Sequence, residues 1–202
     1  MRPVFPRLPL LLLVLAGCAH PRPCVIIGAD PGVRMELGSF LATHPLGAAE
    51  DLKAVPVGAI ATTSYAIVQV RTRERAHLHA DHDLTIHVLQ GTGWIILLSA
   101  PSGSMFVGSA QPLGPGDLVS IPRGTIHWFV NTGREPAVAL ACFTPPYDGH
   151  DLETTPNINA MDAAVMPELR STRLAPGTLE LKGGRPESAT FYSVETRPAG
   201  GP

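Results

Sequence analysis

From Ser64 onward the chain alternates short apolar runs with turn residues. Tyr65-Ala66-Ile67-Val68-Gln69-Val70 is apolar and partly β-branched and predicts a strand. Further strands are predicted at His77–His79, Leu84–Gln90, Trp94–Leu98, Met105–Val107, Asp117–Ile121, His127–Asn131 and Ala137–Phe143. Gly91-Thr92-Gly93 and the stretches Pro101 to Gly103, Pro112 to Gly116, Pro122 to Gly124 and Asn131 to Pro136 supply the turns between them. These connections are too short for helical crossovers, so the sheets are expected to be antiparallel. A single run of such strands predicts a sandwich or a closed barrel, and with no internal repeat the expectation is one barrel. Upstream, Glu36, Leu37, Phe40 and Leu41 give Met35 to Leu46 a weak helical spacing that Pro45 ends, predicting a short N-terminal helix. Downstream, Thr178–Lys182 and Ala189–Glu195 have strand character inside an otherwise irregular C-terminal extension. They either extend the barrel sheets or pair with a second copy in a homodimer, and Arg197 to Pro202 read as a disordered tail.

The N-terminus changes the picture of where the chain works. Arg2 and Arg7 precede the apolar run Leu10 to Ala16, which is followed by Gly17-Cys18. A basic head, a short apolar core and small residues predict a secretory signal, and the run is far shorter than the roughly 20 residues of a membrane-spanning helix. Leu15-Ala16-Gly17-Cys18 resembles the lipobox of bacterial lipoproteins. That resemblance implies lipidation of Cys18 and a protein tethered in the bacterial cell envelope, facing the periplasm. The organisation expected is signal peptide 1–17, tether 18–34, barrel domain with a helical lead-in 35–151, and C-terminal extension 152–202. Without residues 1–17 the chain keeps 13 basic and all 17 acidic residues, a formal charge of −4. A nucleic-acid partner would call for a basic face, so none is expected. An oxidising compartment permits a Cys24–Cys142 disulfide, but Cys142 lies in an apolar strand and reads equally well as a plain buried thiol.

Five of the eight histidines lie between His77 and Asn131. His77 and His79, one residue apart on an extended segment, point to the same face, and His127 on a distant strand can complete a triangle. His77-x-His79 with Gly91, and Gly116-x5-Pro122-x-Gly124-x2-His127-x3-Asn131, resemble the two motifs of the cupin superfamily. The resemblance covers roughly Tyr65 to Asp151. It implies an all-β fold, the double-stranded β-helix or jelly-roll barrel, in which the two motifs face one another and hold a metal ion. The chain departs from the pattern where the family usually carries a glutamate. That position, counted back from Gly91, is Leu84, with Asp83 beside it. Asp83 has one permitted spacing from His79, yet the strand period turns it away from the face of Leu84 unless a bulge re-aims it. The metal ligands expected are therefore His77, His79 and His127, with Asp83 as the candidate fourth.

Three neutral imidazoles suit Fe(II), Zn(II), Mn(II), Ni(II) or Cu(II) and leave coordination positions open for a substrate. Cupin-like thiol and diketone dioxygenases are similar in holding iron with three histidines. That likeness favours Fe(II) and implies a dioxygenase-type oxidoreductase, and the missing carboxylate, which would leave the metal one unit more positive, favours a small, chelating, anionic substrate. Two other readings stand beside it: a ligand-binding or sensing module that is not an enzyme, and a metal-dependent isomerase or lyase. Tyr65 and Gln69 on the first strand, with Arg71, and Phe129 beside His127 are candidate lining for the substrate pocket. Trp128 is expected to face outward, and His87 to lie on the outer face of its strand. His82 either replaces the missing ligand or caps a turn, Asp148 with His150 reads as an exposed loop or, less simply, as a pair supporting the site from behind, and Arg123 at the barrel rim is placed to meet an anion.

Overall fold

The computed structural model describes residues 24–27, 33–98, 105–154, 177–182 and 193–198. The expected signal peptide, Cys18 and the turn at 101–103 lie outside these residues. Inside the expected tether, β1 (Cys24–Ile27) pairs antiparallel with β2 (Val33–Glu36), so part of it is ordered as a two-stranded ribbon. Helix α1 (Leu37–Thr43) begins two residues later and ends earlier than its apolar spacing suggested. The Glu36 carboxylate sets the start, accepting from the N–H groups of Gly38 at 3.2 Å and Ser39 at 2.8 Å.

The remaining strands are β3 (Leu52–Ile60), β4 (Thr63–Val70), β5 (Leu78–His79), β6 (Asp83–Gln90), β7 (Gly93–Leu98), β8 (Met105–Leu113), β9 (Leu118–Ile121), β10 (Ile126–Asn131), β11 (Ala137–Thr144), β12 (Leu152–Glu153), β13 (Gly177–Lys182) and β14 (Ser193–Pro198). They form two five-stranded antiparallel sheets, ordered β3-β4-β11-β6-β9 and β10-β7-β8-β13-β14, and β12 pairs with β5. This is the jelly-roll arrangement. β3 was not expected, because Pro56, Gly58 and two alanines mask its strand character. It pairs with β4 along its length, with a bulge between Pro56 and Gly58. β13 pairs on one side with β8 and on the other with β14, so the C-terminal extension widens the second sheet. β14 reaches Pro198, into the segment expected as a tail.

The period of two then assigns the faces. Leu84, Ile95, Ile121 and Ala141 meet between the sheets. On the other side of the first sheet, Ile67, Leu37 of α1 and Val138 form a second apolar cluster, against which Tyr65 and Phe40 pack. Gln69 shares that outer face and is buried there, donating from Nε2 to the His44 carbonyl at 2.8 Å. Arg71 caps the same loop, donating to Gly47 O at 2.8 Å and Glu50 O at 3.1 Å. Cys142 is a free, half-buried thiol whose pKa is raised by burial. On the second sheet Trp128 faces away from Phe129 as expected, but it is fully buried.

Because Gln69 fastens the α1 loop to the barrel wall, Gln69→Ala is expected to cost about 1 kcal/mol by removing a hydrogen bond to a half-buried carbonyl. Urea denaturation measures this; an unchanged midpoint would show that the loop is held elsewhere.

Candidate metal centre

Strand pairing brings three imidazoles together. His127 lies in β10 and His77 immediately before β5, and they exchange both backbone hydrogen bonds, His77 N to His127 O at 3.1 Å and His127 N to His77 O at 2.8 Å. Residues opposed in this way project side chains to one face, and the two ring centroids are 4.3 Å apart. His79 shares the face of His77, with its ring 5.1 Å from His77 and 5.6 Å from His127. One ring nitrogen of each lies within 4.8 Å of those of the other two, and all three residues are buried. Gly124 donates its N–H to His79 O at 2.7 Å from a turn with φ +75°, a conformation that a side chain would strain. Asn131 holds the far end of β10, donating to Arg71 O and Glu135 O, each at 2.8 Å.

Each ring is fixed through Nδ1. His77 Nδ1 meets Arg75 O at 2.8 Å, His127 Nδ1 meets Thr125 O at 2.9 Å, and His79 Nδ1 meets Asp151 Oδ1 at 3.0 Å. These oxygens accept, so each Nδ1 carries a proton and each neutral ring is left with its Nε2 lone pair. Nε2 of His127 is buried without a hydrogen-bond partner. Burial, then the neighbouring His77, push the His127 pKa down to about 3, and burial likewise lowers that of His79. Three inward-facing imidazole donors could hold a divalent transition ion, and their chemistry fits one.

Asp151 supports the cluster from behind. Its carboxylate accepts from His79, from Nδ1 of His82 and from the Asp81 N–H at 3.2 Å. Burial alone would raise its pKa, but these bonds hold it down to about 2. His82 is therefore neither a ligand nor a simple turn cap. It is buried, with Nε2 3.2 Å from Pro146 O. Burial disfavours its charge, yet the Asp151 bond and the Pro146 carbonyl raise its pKa overall. Asp148 and His150, weighed for this supporting role against an exposed loop, sit in an exposed loop, with His150 N donating to Asp148 Oδ1 at 3.0 Å.

Two cavities flank the cluster. The inner one, about 70 Å³, lies between the sheets and is walled by Val88, Ile95, Phe129, Glu74, His79 and His127. The outer one, about 430 Å³, is walled by Asp51, Arg73, Glu74, Arg75 and His77. Phe129 thus lines the interior. Tyr65 and Gln69 do not: β4 turns its even-numbered residues, Val68 and Val70, to the cavity and its odd-numbered ones to α1. Asp83 is also misassigned as a ligand. Strand parity sends Leu84 inward and Asp83 outward, where Arg123 forks it, with Nη2 to Oδ2 at 2.9 Å and Nε to Oδ1 at 3.2 Å. Those bonds hold the Asp83 pKa down to about 2, and Asp83 is the anion that Arg123 meets. Glu74 was not foreseen. Its Oε1 lies 3.7 Å from Nε2 of His77, and burial raises its pKa against the opposing pull of His77 and the Phe129 backbone.

The His127 shift has a defined sign. Its folded pKa lies below the value near 6.5 of a free histidine, so the unfolded chain binds the extra proton between those values. The metal-free protein is therefore expected to lose stability as pH falls from about 6.5 toward about 3. The slope contributed approaches about 1.4 kcal/mol per pH unit, and His127→Gln should flatten it. Urea midpoints across this range measure it; equal slopes in both proteins would show that His127 is not buried as a neutral ring.

Residues 65–170 match the Cupin family. The chain is similar to an uncharacterised protein of Aquifex aeolicus, 36% identical over 105 residues that make up 52% of this chain and 78% of the other. It is also similar to glucose-6-phosphate isomerase of Thermococcus onnurineus, 32% identical over 80 residues, and spans only 40% of that protein's length. Among solved structures it resembles KdgF from Halomonas sp., at 21% identity and a TM-score of 0.42, over 50% of this chain and 87% of that one. The matched segment runs from β4 through both histidine motifs and takes in just over half of the 202 residues, and this protein belongs to the cupin family.

Proposed function

We propose that this chain is a metal-dependent oxidoreductase of the dioxygenase type acting on a small, chelating, anionic substrate. The observation that carries the reading is the unpartnered, buried Nε2 of His127 beside two rings whose Nδ1 atoms are already engaged. A donor set held so firmly by Arg75, Thr125 and Asp151 needs no rearrangement to bind an ion. An Fe(II) ion held by His77, His79 and His127 would supply redox chemistry. Zn(II), Mn(II), Ni(II) or Cu(II) fit the same three nitrogens.

The chain's own residues then set the substrate. Asp51, Arg73, Glu74 and Arg75 wall the outer cavity with charges of both signs, so a group arriving at His77 meets a polar surface. The inner cavity is roughly half the size of an engineered cavity of about 150 Å³ that takes benzene, so it admits a short apolar group and excludes bulk water. Phe129 and Ile95 are its apolar walls. A second reading, a metal-dependent isomerase, draws support from the likeness to the Thermococcus isomerase and from the polar outer cavity. A binding module without turnover is the third.

Metal analysis of protein purified without added metal separates them. Stoichiometric iron, and oxygen uptake with a panel of thiols and diketones, is the expected result; zinc or nickel with no oxygen uptake would move the assignment to the isomerase or binding readings. His127→Ala is expected to abolish metal retention, and a variant that keeps its metal would overturn the ligand set. Cellular placement is proposed separately, from Cys18 within Leu15-Ala16-Gly17-Cys18: lipid at Cys18 tethers the domain on the periplasmic side of the envelope. Cys18→Ala should release the protein from the membrane fraction, and a variant that still sediments with membranes would refute the anchor.

A further inference from the structure

We propose that Glu74 is a fourth protein ligand at the histidine cluster, supplying from upstream of His77 the carboxylate that position 84 lacks. This rests on the metal reading above. Glu74 lies outside both histidine motifs, three residues before His77, and in a regular strand residues three apart face opposite ways. The pairing of this segment with β10 removes that obstacle. Arg73 bridges to Val130 and His77 bridges to His127. Four steps on one side are therefore matched by three on the other, so the segment carries one extra residue, as in a β-bulge. The Glu74 N–H still reaches Phe129 O at 2.9 Å. The slip turns the carboxylate and the His77 ring to the same side.

The distance is of the right size. Two donor atoms each about 2.1 Å from one ion are about 3.0 Å apart at a right angle and about 4.2 Å apart when opposite. Oε1 of Glu74 and Nε2 of His77 are 3.7 Å apart. Glu74 also borders both cavities, the inner one together with His79 and His127 and the outer one together with His77. Among the described residues the donor atoms already within 4.8 Å of one another are those of the three histidines, so Glu74 reaches their common point by turning its side chain in from beside His77. The Glu74 side chain is 25% exposed, with one flank on the apolar inner cavity; a carboxylate desolvated to that extent is costly unless paired, and its neighbours here are an imidazole ring and a backbone amide. An ion shared with the rings gives it a counter-charge.

The test uses the full chain, stripped of metal and titrated with Co(II) in competition with a chromophoric chelator. The visible absorption of the Co(II)-loaded protein is recorded alongside. Glu74→Gln keeps the shape and removes the charge. It is expected to weaken Co(II) binding by more than the roughly 10–100-fold lost with an outer-shell partner, and to change the position and intensity of the ligand-field bands. A spectrum superimposable on wild type, whatever the affinity, overturns the proposal and leaves Glu74 as a residue that orients His77. Wild-type protein that takes up no Co(II) overturns both this inference and the metal reading beneath it. Thermal melting of the metal-free variant checks its fold. Should Glu74→Gln fail to fold, Glu74→Asp, which keeps the charge but withdraws it by one carbon, is expected to show the same spectral change.

Discussion

Two backbone hydrogen bonds between His77 and His127 carry the rest of this molecule's chemistry. They join pieces of chain 50 positions apart and fix which residues stand opposite each other. Each bond contributes only about 0.5–1.5 kcal/mol of net stability, so their importance is geometric. A slip of one residue in this pairing would send a ring to the far face of the sheet. The barrel prevents it: β6 seats Leu84 inward against Ile121, while β7 pairs with β10 along its whole length. The apolar core is in this sense the device that sets the imidazoles.

Around those rings the charges are arranged in a consistent order. Carbonyl oxygens of Arg75 and Thr125 and the carboxylate of Asp151 take the outward N–H groups, so each inward nitrogen presents a lone pair. Asp151 arrives on the segment that leaves β11, where Tyr147 stacks on Phe143 with centroids 4.8 Å apart and presents its ring edgewise to His79 at 5.5 Å. The crossing after β11 thus closes one side of the site with aromatic surface and stabilises a buried carboxylate through three donors. A polar network of this kind holds its position only when every member is satisfied.

Most of the barrel was legible from the alternation of apolar residues and turns, and the three histidines were legible from spacing. What escaped followed from pairings that spacing does not encode. Tyr65 and Gln69 were assigned to the correct common face but to the wrong side of the sheet, because strand period cannot say which face a helix such as α1 will cover. Parity rightly warned against Asp83, and the structure shows Arg123 taking it. Asp151 is one residue from His150, which with Asp148 reads from sequence as an exposed loop; only the pairing of β12 with β5, which sets Leu152 opposite His79, brings Asp151 inward. Glu74 carried a usable signal, an acid three residues from a histidine motif, but the one-residue slip against β10 that turns it inward is a tertiary fact.

The place of β13 in the second sheet has a consequence for where that sheet ends. Along Met105–Ala110 it occupies the hydrogen-bonding groups of β8 on the side away from β7. A chain cut back after residue 154 would keep every histidine of the cluster yet leave that row of amides and carbonyls bare. Such a border invites strands from other molecules. The C-terminal region therefore carries the selvedge of this sheet outward, from β8 to β14.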